Sequence, residues 1–543
     1  MLQRNGILAR LILVGALAVS VLVTPWISYD PINVSRILGL SVFGFGISLM
    51  LGFLESRTLF LKYRVISIIL FAFFLWVLVI SFLSPLGWNE TLFGVSGRQT
   101  GLIAYFMFVV FMLGAIRVSG ENFVSGLLRF LFISGLLSGI YGLIQWLGKD
   151  PFDWINPYSP VFGFFGNPNF HSSFMGISGA AALVLLFGKK NVTSRGLLAA
   201  YQLLVVFNIF QSKSQQGFFV YAVGIFAVTI LWMRSKSSKS ALGATVFALI
   251  GGLLSVLDIF QRSPWSSIFY EESVSYRGDF WRAGWQMTLN NPIFGLGLDG
   301  YRDSFRIYRD EVATNRNAEA MVDSAHNVFF DISSGGGFPL LILYLAINIF
   351  IFRSALRVIR RNKSFNPIFA GLVGSWLAYS AQSLISINQI GLAIWGWVLG
   401  GAIIGYEINI MEKKEILEKK KQFEGTIFGI GALIGLVVTL PLFIADAGFR
   451  SVVAKGDVTK IVGSVQSWPQ SPIRMNLAAS ILRRGGFPDQ ALEISKSAVE
   501  KFPRNFEAWQ ELLQNDKLSG TERISVISKM RELDPLNPNI PSG

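Results

Sequence analysis

RVISIILFAFFLWVLVISFLS, Arg64 to Ser84, runs twenty residues beyond its arginine without another ionisable side chain. At 1.5 Å per residue such a helix is about 30 Å long, the thickness of a bilayer's hydrocarbon core. Lipid offers no hydrogen-bond partners, so a buried backbone must pair within its own segment, which a helix does. Residues 64–84 therefore read as a membrane span. Comparable runs lie near 7–26, 33–54, 101–117, 124–147, 172–188, 197–212, 216–233, 241–257, 325–352, 367–386, 388–408 and 425–445. The first follows Arg4 and Arg10 and resembles a signal peptide, but twelve more spans come after it, and it reads as a retained helix. The expected fold class is all-α: a polytopic transmembrane helix bundle of 12–13 spans with a C-terminal soluble helical-repeat domain.

Composition agrees. Hydrophobic residues make up 52% of the chain and charged ones 15%, against roughly 25% charged in soluble domains. There is no cysteine, which excludes disulfides, thiol catalysis and Cys-based metal sites. Two histidines, His171 and His326, are too few for a His-rich metal site. A net charge of +14 in a soluble chain would suggest nucleic acid. Here the charge sits in short clusters between apolar runs, so no nucleic-acid partner is expected.

Those clusters orient the chain. With the N-terminus in the cytoplasm, the inner loops hold Arg57, Lys62 and Arg64; Lys189, Lys190 and Arg195; Arg234, Lys236 and Lys239; Arg353 to Lys363; and Lys413 to Lys421. The short outer loops hold little beyond Arg98, Lys149 and Lys213. This is the positive-inside pattern. It places a long loop, 258–324, and the tail, 446–543, outside the cytoplasm. The charged linker 409–424 stays inside, where its lysines can meet membrane lipid. In the tail, Pro469, Pro503 and Pro535 follow one another at 34 and 32 residues, each after a helical stretch. A period of 34 is that of tetratricopeptide repeats, so the tail reads as two to three degenerate copies that bind a protein partner.

Loop 258–324 concentrates arginine: Arg277, Arg282, Arg302, Arg306, Arg309 and Arg316. A guanidinium presents a planar fork of donors that matches phosphate oxygens. Arg302 to Arg316 read as a solvated basic loop, and Arg277 as the functional candidate. Gly295-Leu-Gly-Leu-Asp-Gly300 fits the dinucleotide fingerprint GxGxxG, but no strand precedes it, and a tight turn is the better reading.

Several blocks occur in a telling order: Arg277-Gly-Asp-Phe-Trp281, Asn291-Pro-Ile-Phe-Gly-Leu-Gly297, Ser324-Ala-His326-Asn327, and Gly335 to Gly337 entering a helix. Upstream stands Gly166-Asn167-Pro168-Asn169, followed by His171. This array resembles the signature of the O-antigen ligase/polymerase superfamily, over roughly residues 160–390. One stretch departs from it. Where the family often carries Ser-Arg-Gly, this chain has Ser212-Lys213-Ser214-Gln215-Gln216-Gly217, and Lys213 offers a point charge without the guanidinium fork.

The resemblance implies a bacterial cytoplasmic-membrane glycosyltransferase acting in cell-surface polysaccharide synthesis. Its donor would be a glycan on a polyprenyl pyrophosphate, and its acceptor a hydroxyl of a glycan, lipid or protein; no cofactor is implied. Arg277 would stabilise the pyrophosphate, and His326 would orient or deprotonate the acceptor. Arg282 and Lys213 would be further donor contacts. Asn327 and Asp323 would hold the imidazole tautomer, and Asn167, Asn169 and His171 would line the acceptor or sugar side. The implied domains are 1–160 (N-terminal spans), 161–408 (ligase-like core including loop 258–324), 409–424 (linker), 425–445 (last span) and 446–543 (repeats). Two rival readings are a transporter or flippase of lipid-linked sugars, and a membrane scaffold acting through the tail.

Overall fold

A computed structural model describes residues 6–55, 60–154, 161–187, 191–259, 272–362, 364–411 and 423–542. Residues 260–271 of the long loop and most of the linker 409–424 lie outside the described residues. Among the described residues every regular element is a helix. Ten helices among the described residues are long and apolar enough to cross a membrane, and shorter apolar helices, Ile7–Val21, Leu102–Val118 and Ser238–Leu254, occupy the remaining expected positions. The chain is a multi-pass helical bundle.

Its centre is the helix Ile390–Met411, whose spanning window is wholly buried. Without a hydrophobic effect between helices in lipid, tight packing needs small residues that let backbones approach. Gly401 and Gly405 do this, one turn apart: a Cβ on either would sit 2.5 Å from Met112 O or 2.3 Å from Ile116 O of the helix Leu102–Val118. Peripheral helices bury little and expose large apolar side chains, among them Phe71, Phe82, Leu203, Phe247 and Val437. Contiguous exposed apolar surface of this kind is what a lipid-facing helix presents.

The last spanning helix differs from expectation. It covers Glu424–Lys455, ten residues beyond the expected end at 445, and stops where Gly456 turns left-handed at φ 63°. Nothing between Pro441 and Gly456 breaks a helix, so the chain carries Phe449 out of the bundle and into the core of the tail. The tail itself is a series of short helices, Val458–Gln466, Pro472–Arg484, Pro488–Lys501, Phe506–Leu513 and Gly520–Leu533. Each packs on the next around Ala478, Leu482, Ala491, Ile494 and Ala498. Ser519 and Glu522 close the start of the last one with a reciprocal capping box.

The tail docks onto the long loop. Here the expectation of a solvated basic loop fails for Arg306 and Arg309. Arg309 Nη2 donates to both oxygens of Asp534 at 2.7 and 2.9 Å, and Arg306 Nη1 donates to the same carboxylate at 2.8 Å. The Arg306 guanidinium also lies 4.2 Å from the Phe506 ring centre. The Asp534 side chain has no exposed surface. A carboxylate removed from water in this way requires countercharge and hydrogen bonds, and two arginines from the loop supply them.

Candidate active site

The helix Glu272–Asn290 carries the Arg277 block. Phe280, Ala283 and Met287, at helical spacing, form its inward stripe and pack with Leu296, Tyr301, Phe305, Val322 and Ala325. That packing turns Arg277, one turn before Phe280, toward the bundle, where it is buried. Its Nη2 donates to Gln216 Oε1 at 3.1 Å. Gln216 Nε2 in turn donates to Ser173 Oγ at 2.8 Å and reaches Asn169 O at 3.5 Å. Asn169 Oδ1 accepts from Ser214 Oγ at 2.7 Å, and Asn169 N donates to Asn167 Oδ1 at 2.9 Å. Within this network Arg277 is thus oriented by a neutral amide.

His326 packs against the same helix, one turn along from Arg277. Its imidazole packs on the Phe280 ring, with centres 5.5 Å apart. Its backbone is left-handed at φ 51°, a region non-glycine residues enter rarely. Ser324 holds it there: Ser324 Oγ accepts from His326 N at 2.9 Å and donates to Asp331 Oδ2 at 2.7 Å. Part of the residue remains accessible. The ring is nonetheless deep enough that burial, and then the charge of nearby Arg277, push its pKa below the usual 6.5, to about 4; Asp323 opposes the shift.

A broken helix supports this arrangement. Val328–Arg361 is interrupted at Gly336 and Gly337, the latter at φ 68° and ψ −172°. Carbonyls released near the break find donors in the glycine-rich turn: Leu296 N to Ser334 O at 2.8 Å and Gly297 N to Gly335 O at 3.0 Å. A Cβ on Gly337 would come within 2.2 Å of Ile293 O. The GxGxxG stretch is therefore a backbone splint for the interrupted helix, not a nucleotide loop.

Arg98 is a charged hub. Its Nη1 donates to Asp323 O at 2.8 Å, and its guanidinium stands 3.4 Å from Asp299 and 3.6 Å from Asp331. These carboxylates hold its pKa above the usual arginine value despite burial. Arg98 and Asn167 line a cavity of about 180 Å³ together with Asn33, Phe170, Asn388 and Gln389.

The other expected residues are placed differently. His171 is fully buried, with Nδ1 3.1 Å from Ser138 Oγ and Nε2 2.9 Å from Asn208 Oδ1. It ties three spanning helices together and lines no accessible surface, because both ring nitrogens are taken. Asn327 does not hold the imidazole: its Oδ1 caps the helix Val328–Arg361 through Phe329 N and Phe330 N, and its Nδ2 donates to Leu384 O. Asp323 meets Arg98 through its carbonyl and acts on His326 by charge. Arg282 is engaged with Asp310 at 2.6 Å and Asp279 at 2.7 Å. Lys213 is exposed at a left-handed turn with φ 50°. Gln216 and Arg98 were not among the expected site residues. Gln216 stood in the departing Ser-Lys-Ser-Gln-Gln-Gly stretch, and Arg98 was an arginine on the side that the charge pattern otherwise keeps poor in them.

The family model described as O-antigen ligase matches residues 200–345, about a quarter of the chain. The match includes Gln216, Arg277, His326 and the break at Gly336 and Gly337, and leaves out Asn167, Asn169 and the tail. No curated protein matches this chain. The match supports a membrane protein of glycan-transferring function, similar over this region to O-antigen ligases, with a lipid-linked glycan as donor.

Proposed function

We propose that this protein transfers a glycan from a polyprenyl-pyrophosphate carrier to an acceptor hydroxyl, on the outer side of a bacterial cytoplasmic membrane. The observation that carries this reading is the placing of His326 beside the helix turn that carries Arg277, within the matched region. The acceptor oxygen attacks the anomeric carbon of the donor. The bond from that carbon to the phosphate oxygen breaks, the acceptor proton passes to the imidazole, and the carrier pyrophosphate leaves with its charge against Arg277. Fixed cationic donors in a partly dry site stabilise such developing charge far better than water does. With no substrate present, burial and then the charge of Arg277 keep His326 neutral and weakly basic. A bound diphosphate would offset the arginine field and raise the imidazole pKa toward neutrality, making it a better base when the donor is in place.

The loop and the tail lie on one face of the bundle, and in this proposal that face is extracytoplasmic. The tail is read as tetratricopeptide-like repeats. The test uses cells carrying Arg277→Ala or His326→Ala. Carrier-linked glycan should accumulate and the surface polymer disappear, with the protein still inserted; loss of transfer should be on the order of 10²-fold or more. Single repeat units on the carrier would mark a polymerase, and long chains a ligase. Normal surface polymer in both variants would refute the assignment.

A further inference from the structure

A second cavity, of about 290 Å³, opens where the tail meets the bundle. Four parts of the chain build it: Tyr29, Asp30 and Asn33 at the start of the second span, Gln99 in the turn that carries Arg98, Asp446 from the last span and Arg474 from the tail. It adjoins the cavity of Arg98 and Asn167, sharing Asn33 and Gly97 as walls. Gln99 and Arg474 keep only 2% and 3% of their surface exposed. Yet Gln99 Oε1, Arg474 Nη1 and Asn33 Oδ1 have no hydrogen-bond partner in the protein. Buried polar atoms left unmatched cost about 1–3 kcal/mol each, and native proteins rarely keep several in one place without a use.

Their orientations are set by other bonds. Asn33 Nδ2 is committed to Gly97 O at 2.7 Å and to Asp30 at 3.2 Å, so its carbonyl is the end left over. Arg474 Nη2 is held by Pro469 O. Asp446 Oδ2 accepts from Asp30 N at 2.9 Å, and its carboxylate faces the same space. The wall thus offers several acceptors, one guanidinium donor and an aromatic ring. Two carboxylates disfavour an anion, and Arg474 disfavours a cation. What fits is a neutral ligand whose groups both donate and accept, a set of sugar hydroxyls.

We propose that this cavity is a subsite for a neutral glycan, the acceptor, bound jointly by the bundle and the tail. The acceptor role rests on the transferase reading; the binding of a neutral glycan does not. The volume is close to the lower end of small-ligand pockets, about 300 Å³, and takes one or two sugar residues. The adjoining cavity leads on to Arg98, whose carbonyl partner Asp323 precedes His326 by three residues. In this arrangement the tail is a wall of the acceptor path.

The test is retention of full-length protein, labelled and held in lipid nanodiscs, on an array of neutral and anionic bacterial glycans. Wild type should retain a subset of neutral glycans. The double variant Gln99→Ala/Arg474→Ala should lose that retention at least tenfold, and Arg277→Ala should keep it. Ile473→Trp, which fills the cavity while keeping its polar groups, should lose it as well, and separates occupancy from misfolding. The proposal is overturned if wild type retains no neutral glycan, if it prefers anionic ones, or if both cavity variants bind as wild type does. Normal surface polymer in both Arg277→Ala and His326→Ala would refute the transferase reading while leaving the glycan subsite standing.

Discussion

Two sets of arginines share one loop and have opposite fates. Arg306 and Arg309 are held against a single buried carboxylate, Asp534, and their charge is used within the protein. Arg277, on the preceding helix, is buried as well but bonds a neutral amide, Gln216. The residue type is the same, and so is the depth. The partners differ in what they do: the Asp534 carboxylate clamps tail to loop through Arg306 and Arg309, whereas the Gln216 amide orients Arg277 within the bundle.

After the loss of transfer in Arg277→Ala and His326→Ala, the most direct way to break this contrast is Gln216→Glu. It places a carboxylate beside Arg277 where the amide now stands. Transfer should fall on the order of tenfold, equivalent to about 1.4 kcal/mol of transition-state stabilisation, with the fold intact; unchanged activity would mean that the Arg277 charge is not used. The converse change is Asp534→Ala, which strands two buried guanidinium groups. Removing one partner of a buried ion pair costs about 3–5 kcal/mol. Limited proteolysis and hydrogen exchange should show helices 458–533 released from the loop, while the spanning helices stay protected. A tail that remains equally protected would show that the clamp contributes little.

A finer measurement sharpens the account of the site. The chain has two histidines, so nitrogen-15 histidine spectra are readily assigned. The His326 midpoint should lie well below 6.5, near 4, and Arg277→Met should raise it, because removing a positive neighbour favours the charged imidazole. The acid limb of kcat/KM, which reports the free enzyme, should accordingly begin below the usual histidine range. A midpoint that does not move would separate the two residues. The smallest effect is expected at Arg282. Its pairs with Asp279 and Asp310 are partly exposed, with 42% of its side chain accessible. Such pairs are worth about 0–1 kcal/mol, and Arg282→Ala should change stability and transfer within that range, as read from thermal unfolding and carrier-linked glycan.

Much of this was legible in the chain. The spans were visible because a bilayer demands long uncharged runs, a constraint that acts on each segment alone. The Arg277 and His326 blocks were visible because their order is distinctive. His171 was misplaced for a physical reason: beside Asn169 it looked like a site residue, but its two buried hydrogen bonds come from Ser138 and Asn208, on other helices. Asn327 likewise serves as a helix cap, a role set by where the helix begins.

By itself the sequence determined that this is a multi-pass helical protein with arginine gathered in one loop and a helical tail, since hydropathy and period are properties of contiguous residues. Only the tertiary structure decided that Arg306 and Arg309 meet Asp534, that Gln216 faces Arg277, and that tail and bundle together enclose a polar cavity. Those outcomes depend on which charges meet after packing, and residues such as Arg309 and Asp534, 225 positions apart, meet only in the folded chain.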